Sequence, residues 1–148
     1  MKTAESIMTR NPCCCTPETR LTEVAEMMIE HDCGEIPVVD DLTNLRICGV
    51  LTDRDIVCRT LGEGKNPMDV MVEDIMTFPP VSVTPEASLE KCYQLMEENK
   101  IRRIPVVDDF DRICGIISLS DIVQKDRSHL DAILREVSTP GETSAPMS

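Results

Sequence analysis

The chain writes nearly the same sequence twice. Shifted by 68 residues, Ile7-Met8-Thr9 falls on Ile75-Met76-Thr77, Thr16-Pro17-Glu18 on Thr84-Pro85-Glu86, and Ile36-Pro37-Val38-Val39-Asp40-Asp41 on Ile104-Pro105-Val106-Val107-Asp108-Asp109. Sixteen of the 35 positions from Ile7 to Asp41 are identical in the two copies. Two residues then drop out of the second copy, and Arg46-Ile47-Cys48-Gly49 meets Arg112-Ile113-Cys114-Gly115 at an offset of 66. Asp55-Ile56-Val57 meets Asp121-Ile122-Val123 at that same offset. A repeat of this length is a folding unit used twice. Two copies in one chain predict a pseudo-twofold pair with clefts where the copies meet.

Each copy has about 60 residues, a size at which a lone core is marginal, so the copies are expected to pack together. The sequence divides into repeat 1 (1–62), a linker (63–68), repeat 2 (69–126) and a C-terminal extension (127–148). In the extension, Leu130 to Val137 reads as a helix, and Thr139 to Ser148, rich in Pro, Ser, Thr and Gly, reads as disordered. Aromatic residues make up only 2% of the 148, so bulk comes from Val, Ile, Leu and nine Met.

The formal net charge of −12 argues against long nucleic acids, which need a basic face, and against a polybasic membrane contact. A small anionic ligand needs only a few local positive charges. No apolar run approaches the roughly 20 residues of a membrane span, and Met1 to Glu5 lacks the apolar stretch of a signal peptide. A cytoplasmic location is expected, with the eight Cys as thiols.

Apolar residues at Leu21, Val24, Ala25, Met28 and Ile29 mark one helix face, repeated at Leu89, Cys92, Tyr93 and Met96. Thr19 and Ser88 are the expected N-caps. Each helix leads to Ile-Pro-Val-Val-Asp, a polar turn, and a second apolar run holding Gly49 or Gly115. An interior strand glycine marks close backbone approach. Pro12 to Thr16 and Pro80 to Thr84 read as first strands. The fold class is α/β: two β-α-β-β-α repeats, each with a short helix ahead of it around Ile7 or Ile75.

The second strand runs into a helix through Gly49-Val50-Leu51-Thr52-Asp53-Arg54-Asp55 and Gly115-Ile116-Ile117-Ser118-Leu119-Ser120-Asp121. Thr52 or Ser118 can cap that helix, with the acid three residues later completing a capping box. The same place suits a ligand. Free N–H groups face a phosphate, the hydroxyls of Thr52, Ser118 and Ser120 add donors, and an ionised Asp accepts from a ribose diol. Local sequence leaves both readings open, and they are compatible.

Taken together, these motifs resemble the CBS domain family, named after cystathionine beta-synthase. Both copies carry the Ile-Met-Thr start, the Thr-Pro-Glu turn, the Ile-Pro-Val-Val-Asp strand and the Gly-x-x-[Ser/Thr]-x-x-Asp junction. Ser118-Leu119-Ser120-Asp121-Ile122 also looks like the nucleotide-binding repeats in the gamma subunit of AMP-activated protein kinase. The resemblance implies a tandem pair, or Bateman module, here without an attached enzyme or channel. It implies an adenosyl ligand (AMP, ADP, ATP, S-adenosylmethionine or NAD), a homodimer, a regulated partner and no catalysis.

It further implies that Asp55 and Asp121 hold ribose, and that the Thr of one copy faces the Asp of the other. Thr84 then joins Asp55, and Thr16 joins Asp121. Leu21, Ile36, Leu89 and Ile104 are candidates for contacts to adenine, with core packing the expected role of most of them. Arg102 and Arg103 should reach the Asp55 cleft, beside Arg54, while Glu35 and the neutral Ser120 belong to the Asp121 cleft. The expectation is that the Asp55 cleft takes the more highly phosphorylated ligand. Rival readings are a ligand-free dimerisation scaffold and a Cys-based redox or metal protein.

Cys13-Cys14-Cys15 points to alternating strand faces, a poor grip for one ion. Copy two has Val81-Ser82-Val83 there, so Cys13 and Cys15 read as apolar side chains, and Cys48 and Cys114 as core. His31 and His129 fit no nucleophile or metal pattern and read as surface residues. Asp40-Asp41 and Asp108-Asp109 read as turn formers.

Overall fold

A computed structural model describes residues 2–125. His129, the extension at Leu130 to Val137 and the tail from Thr139 lie outside the described residues. In chain order the elements are α1 (Ala4–Ile7), β1 (Thr9–Arg10), α2 (Leu21–His31), β2 (Glu35–Val39), β3 (Ile47–Thr52) and α3 (Asp53–Arg59). Then follow α4 (Val72–Ile75), α5 (Leu89–Asn99), β4 (Arg103–Val107), β5 (Ile113–Ser118) and α6 (Leu119–Lys125). None of the helices among the described residues is long and apolar enough to cross a membrane.

Each copy is built on an antiparallel hairpin, β2–β3 or β4–β5, with Ile36 opposite Leu51 and Ile104 opposite Ile117. The segments read as first strands are reduced to single parallel bridges, Cys15 with Val38 and Val83 with Val106. Proline explains the shortening. Pro37 and Pro105 have no N–H to give to a longer ladder, and their carbonyls accept from Cys15 and Val83 at 3.0 Å.

Each hairpin takes its next backbone partner from the other copy: a third strand beside β5 and an isolated bridge beside β3. β1 pairs with β5, Thr9 opposite Ile116 and Arg10 opposite Gly115. Thr77 pairs with Val50, exchanging backbone bonds of 2.8 and 3.1 Å. The short helices follow the same exchange. Ala4 and Glu5 donate to Ala87 and Pro85 at 2.8 and 2.9 Å, and Val72 and Glu73 donate to Thr19 and Pro17 at 3.1 and 2.9 Å. The close approach expected at the strand glycines is this docking. A Cβ on Gly49 would lie 2.9 Å from both the Met76 Sδ and the Thr77 carbonyl oxygen, and one on Gly115 would run into Met8.

Two cores result. One joins Leu21, Val24, Ile36, Val38 and Leu51 to Val70, Val72 and Ile75. The other joins Ala4 to Val83, Cys92, Met96, Ile104, Val106, Ile117 and Ile122. Burial of each branched side chain contributes about 1.5–3 kcal/mol. The repeat as written and the unit as packed therefore differ. Residues 70–76 complete the first core, whereas the N-terminal segment crosses to the second.

The hairpin tips also meet. Arg46 and Arg112 form an antiparallel bridge, flanked by bonds of 2.8 Å from Ile47 to Asp111 and from Ile113 to Leu45. Leu45 and Asp111, equivalent in the repeat, both take the left-handed conformation there, at φ 62° and 61°.

Several local expectations change. Ser88 caps α5, its hydroxyl accepting from Lys91, but α2 begins after Arg20, with no side-chain cap. Thr19 instead donates its amide to the Thr16 carbonyl and turns its hydroxyl to the Thr16 amide. Ala25 and Ile29, read as part of the α2 core stripe, are exposed, and Ile29 is 81% accessible. Leu21, Val24 and Met28 already fill the space above β2, so a wider stripe has nothing to cover.

Gly49→Ala is expected to destabilise the fold by about 1–3 kcal/mol in urea denaturation, because the new methyl meets a backbone carbonyl that cannot yield cheaply. Gly62→Ala, where the nearest contact is an ordinary 3.6 Å, should stay within about 0.5 kcal/mol. Equal stabilities for the two variants would contradict the docking.

Candidate functional site

Each junction is a complete capping box. The Thr52 amide donates to Asp55 Oδ2 at 3.1 Å, and the Asp55 amide donates to Thr52 Oγ1 at 3.0 Å. Ser118 and Asp121 repeat the pair at 3.0 and 3.1 Å. The cap fixes both carboxylates in space, whatever else they do.

Beyond the cap the junctions part company. Asp55 is buried, and the Thr77 hydroxyl donates to both of its oxygens, at 3.2 and 3.1 Å. Arg59 Nε lies 3.6 Å from Oδ1, and Arg59 Nη1 also donates to the Ile75 and Met76 carbonyls at 3.2 Å. Asp55 and Arg59 thus tie α3 to the docked segment of the other copy. Asp121 is half-buried and receives the Ser118 amide, while Thr9, the equivalent of Thr77, is exposed and makes no such bond among the described residues. Ser118 and Ser120 stand beside it with their hydroxyls 3.0 Å apart.

Glu35 opposes Thr52 in the β2–β3 ladder and is 7% exposed, with no hydrogen-bond partner on Oε2. Burial pushes its carboxyl up to about 7, Arg103 pulls it down and Asp55 pushes it further up. The sequence reading assigned Glu35 to the Asp121 cleft, but the charges that act on it are Arg103 and Asp55. The register explains this: its ladder partner Thr52 is the cap of the Asp55 helix.

Arg103 does reach the α3 side from the other copy. It lines a cavity of about 540 Å³ with Met28, Ile29, Asp32, Cys33, Gly34 and Asp53. Asp32 and Asp53 offset its charge, so the surplus of positive charge expected on that side is absent. Arg54 and Arg102 are exposed. The Thr16 hydroxyl pairs with that of Thr19 at 3.1 Å, and Thr84 is exposed. Leu21, Ile36, Leu89 and Ile104 are buried in the cores. Thr77 and Arg59 were not singled out from sequence. The signal available for Thr77 was its place in the repeated Ile-Met-Thr.

All eight cysteines are free thiols. Cys15 is buried, but Cys13 is only half-buried, as are Cys48 and Cys114 at the core edges. Burial first, then neighbouring thiols, pushes Cys14 up to about 11 and Cys15 up to about 12, which keeps both protonated. Among the described residues, no group of three His, Cys, Asp or Glu side chains is placed to hold a metal ion.

The CBS domain family matches the chain twice, over residues 4–60 and 72–128. This chain belongs to the CBS domain family, as a tandem pair. It is 35% identical over 132 residues to the CBS domain-containing protein YhcV of Bacillus subtilis, covering 89% of this chain and 91% of that one. It spans about half (55%) of an uncharacterized Methanopyrus kandleri protein that is 34% identical over 74% of this chain. Among solved structures, Hypoxic Response Protein I with two coordinated zinc ions superposes with TM-score 0.75 at 34% identity, covering 84% of this chain and 99% of that one. CBSX2 in complex with AMP superposes with TM-score 0.73 at 28% identity, covering 88% and 98%.

The Glu35 carboxyl gives a pH test. Its folded pKa is raised from 4.5 to about 7, so the folded state holds the proton more tightly than the unfolded state. That proton-linked stability is full at low pH and is lost as pH rises through this window. Glu35→Gln should therefore gain on the wild type by on the order of 2 kcal/mol between about pH 5 and about pH 8. A pH-independent difference in urea denaturation would contradict it.

Proposed function

We propose that this CBS pair is a regulatory module that binds an adenosyl ligand between its copies and signals by a shift in their relative orientation. The observation that carries this is Asp121. Its carboxylate is held at a strand–helix junction by one backbone amide, remains half-exposed, and has the Ser118 and Ser120 hydroxyls beside it. An acid with unused acceptor capacity suits a ribose diol, and hydroxyl donors suit a phosphate. AMP in the CBSX2 pair supports the same ligand class here, with ADP, ATP, S-adenosylmethionine and NAD as the alternatives.

On the Asp55 side the same groups serve the fold. A ribose there has to displace the Thr77 hydroxyl or Arg59, so ligand binding and docking of the exchanged segment compete. We accordingly assign first occupancy to the Asp121 side, which reverses the weighting drawn from Arg102 and Arg103. Binding that loosens or tightens one docked segment shifts the population of arrangements of the two copies, and a partner protein reads that shift. The exposed apolar side chains Ile29 and Val57, at 81% and 56%, support a homodimer. Eight free thiols fit a reducing cytoplasm.

The test is ligand-dependent melting with AMP, ADP, ATP, S-adenosylmethionine and NAD. A ligand at a hundred times its Kd stabilises the folded state by about 2.7 kcal/mol. Asp121→Ala should abolish most of that gain, and Asp55→Ala should lower the baseline melting temperature while keeping most of it. Equal loss in both variants would remove the asymmetry. A panel without any shift would leave only the dimerisation scaffold.

A further inference from the structure

The pseudo-twofold axis has a second meeting point, far along both hairpins from the junctions. Arg46 and Arg112 oppose each other in an antiparallel bridge. The flanking backbone bonds, Ile47 to Asp111 and Ile113 to Leu45, make this a non-hydrogen-bonded pair, the arrangement in which facing side chains come closest. Like charges placed directly opposite each other are destabilising, yet the chain sets two guanidiniums there. Only one is neutralised. Arg112 Nε pairs with Asp108 Oδ2 at 3.2 Å, whereas Asp40, the equivalent acid, turns Oδ1 to the amides of Asp41 and Arg46 at 2.7 and 3.1 Å. Arg46 forms no ion pair among the described residues. Asp41 is exposed, its Oδ1 accepting the Thr43 and Asn44 amides at 2.8 and 2.6 Å.

Between these side chains lies a cavity of about 200 Å³ lined by Asn44, Arg46, Phe110 and Arg112. Phe110 is 64% exposed, and Arg112 sits 5.1 Å from its ring centroid. A planar fork without an ion-pair partner among the described residues, a second guanidinium beside it, an amide and an exposed aromatic wall make a coherent recognition set. Forked guanidinium donors match tetrahedral and carboxylate oxyanions. The ring offers stacking area to a flat body attached to one.

We propose that the cavity between the hairpin tips is an oxyanion site that takes the phosphoryl group of a small phosphomonoester with a planar body. Because one arginine comes from each copy, the bound phosphate clamps the two hairpins across the axis. The site shares no residue with either junction, so it stands or falls independently of the adenosyl reading.

The experiment is an NMR titration of the full chain with inorganic phosphate and, separately, with phenyl phosphate. Saturable shifts confined to the amides around Asn44–Arg46 and Phe110–Arg112 are expected, with phenyl phosphate the tighter ligand. Arg46→Gln should weaken both ligands about tenfold, the usual scale for a charge-assisted pair. Phe110→Ala should remove the preference for phenyl phosphate, and Asp121→Ala should change neither titration. Unchanged phosphate affinity in an Arg46→Gln, Arg112→Gln double variant whose spectrum stays dispersed would overturn the site, as would shifts that never saturate. Equal affinity for the two ligands would overturn the planar-body assignment.

Discussion

Each hairpin carries a glycine where the other copy's Ile-Met-Thr segment lies down. At Gly49 the Thr77 carbonyl and the Met76 sulfur come so close that a Cβ does not fit without a shift, and at Gly115 Met8 fills the place a Cβ would take. From this steric allowance much else follows. The docked segments supply the third strand beside β5, the backbone bridge beside β3, the short helices that close the cores, and the hydroxyl that binds Asp55. Two copies too small for secure cores of their own become one body because each finishes the other.

In the proposed function this construction acts through Asp55 and Asp121. Both carboxylates begin as helix caps, and the repeat makes them equivalent in sequence. The structure makes them unequal by what reaches them from across the axis. Thr77 and Arg59 occupy Asp55, while Asp121 keeps one side toward solvent. Under the proposed function, one junction open to solvent and one engaged in holding the copies together would give a ligand-dependent change of shape. Glu35 adds to the tension on the engaged side, as a buried acid with an unpaired oxygen opposite Thr52, the cap of the Asp55 helix.

The duplicated architecture was legible in the sequence because identity at fixed offsets reports shared geometry directly. The capping boxes were legible for a similar reason, since spacing alone places Thr52 over Asp55 and Ser118 over Asp121. The partners of these acids were not legible. Nothing in Thr77 or Arg59 announces that the docked segment of copy two would swing its hydroxyl onto a carboxylate 22 residues earlier. The charge asymmetry was half legible. Arg103 does cross to the α3 side, but Asp53, read only as part of a motif, and Asp32, a helix C-cap, sit there as well. Periodicity overstated the α2 stripe, because a moment along a helix does not say how wide the surface beneath it is.

Native-state hydrogen exchange tests the docking most directly. The Thr77 and Ala4 amides bond across the copies to Val50 and Ala87, and the Val39 and Val107 amides bond within their own copies to Cys15 and Val83. If each copy completes the other, all four amides exchange through the same opening, with the same free energy and the same dependence on denaturant. If Thr77 and Ala4 exchange through a small opening insensitive to denaturant while Val39 and Val107 stay protected, the segments are surface attachments and the account fails.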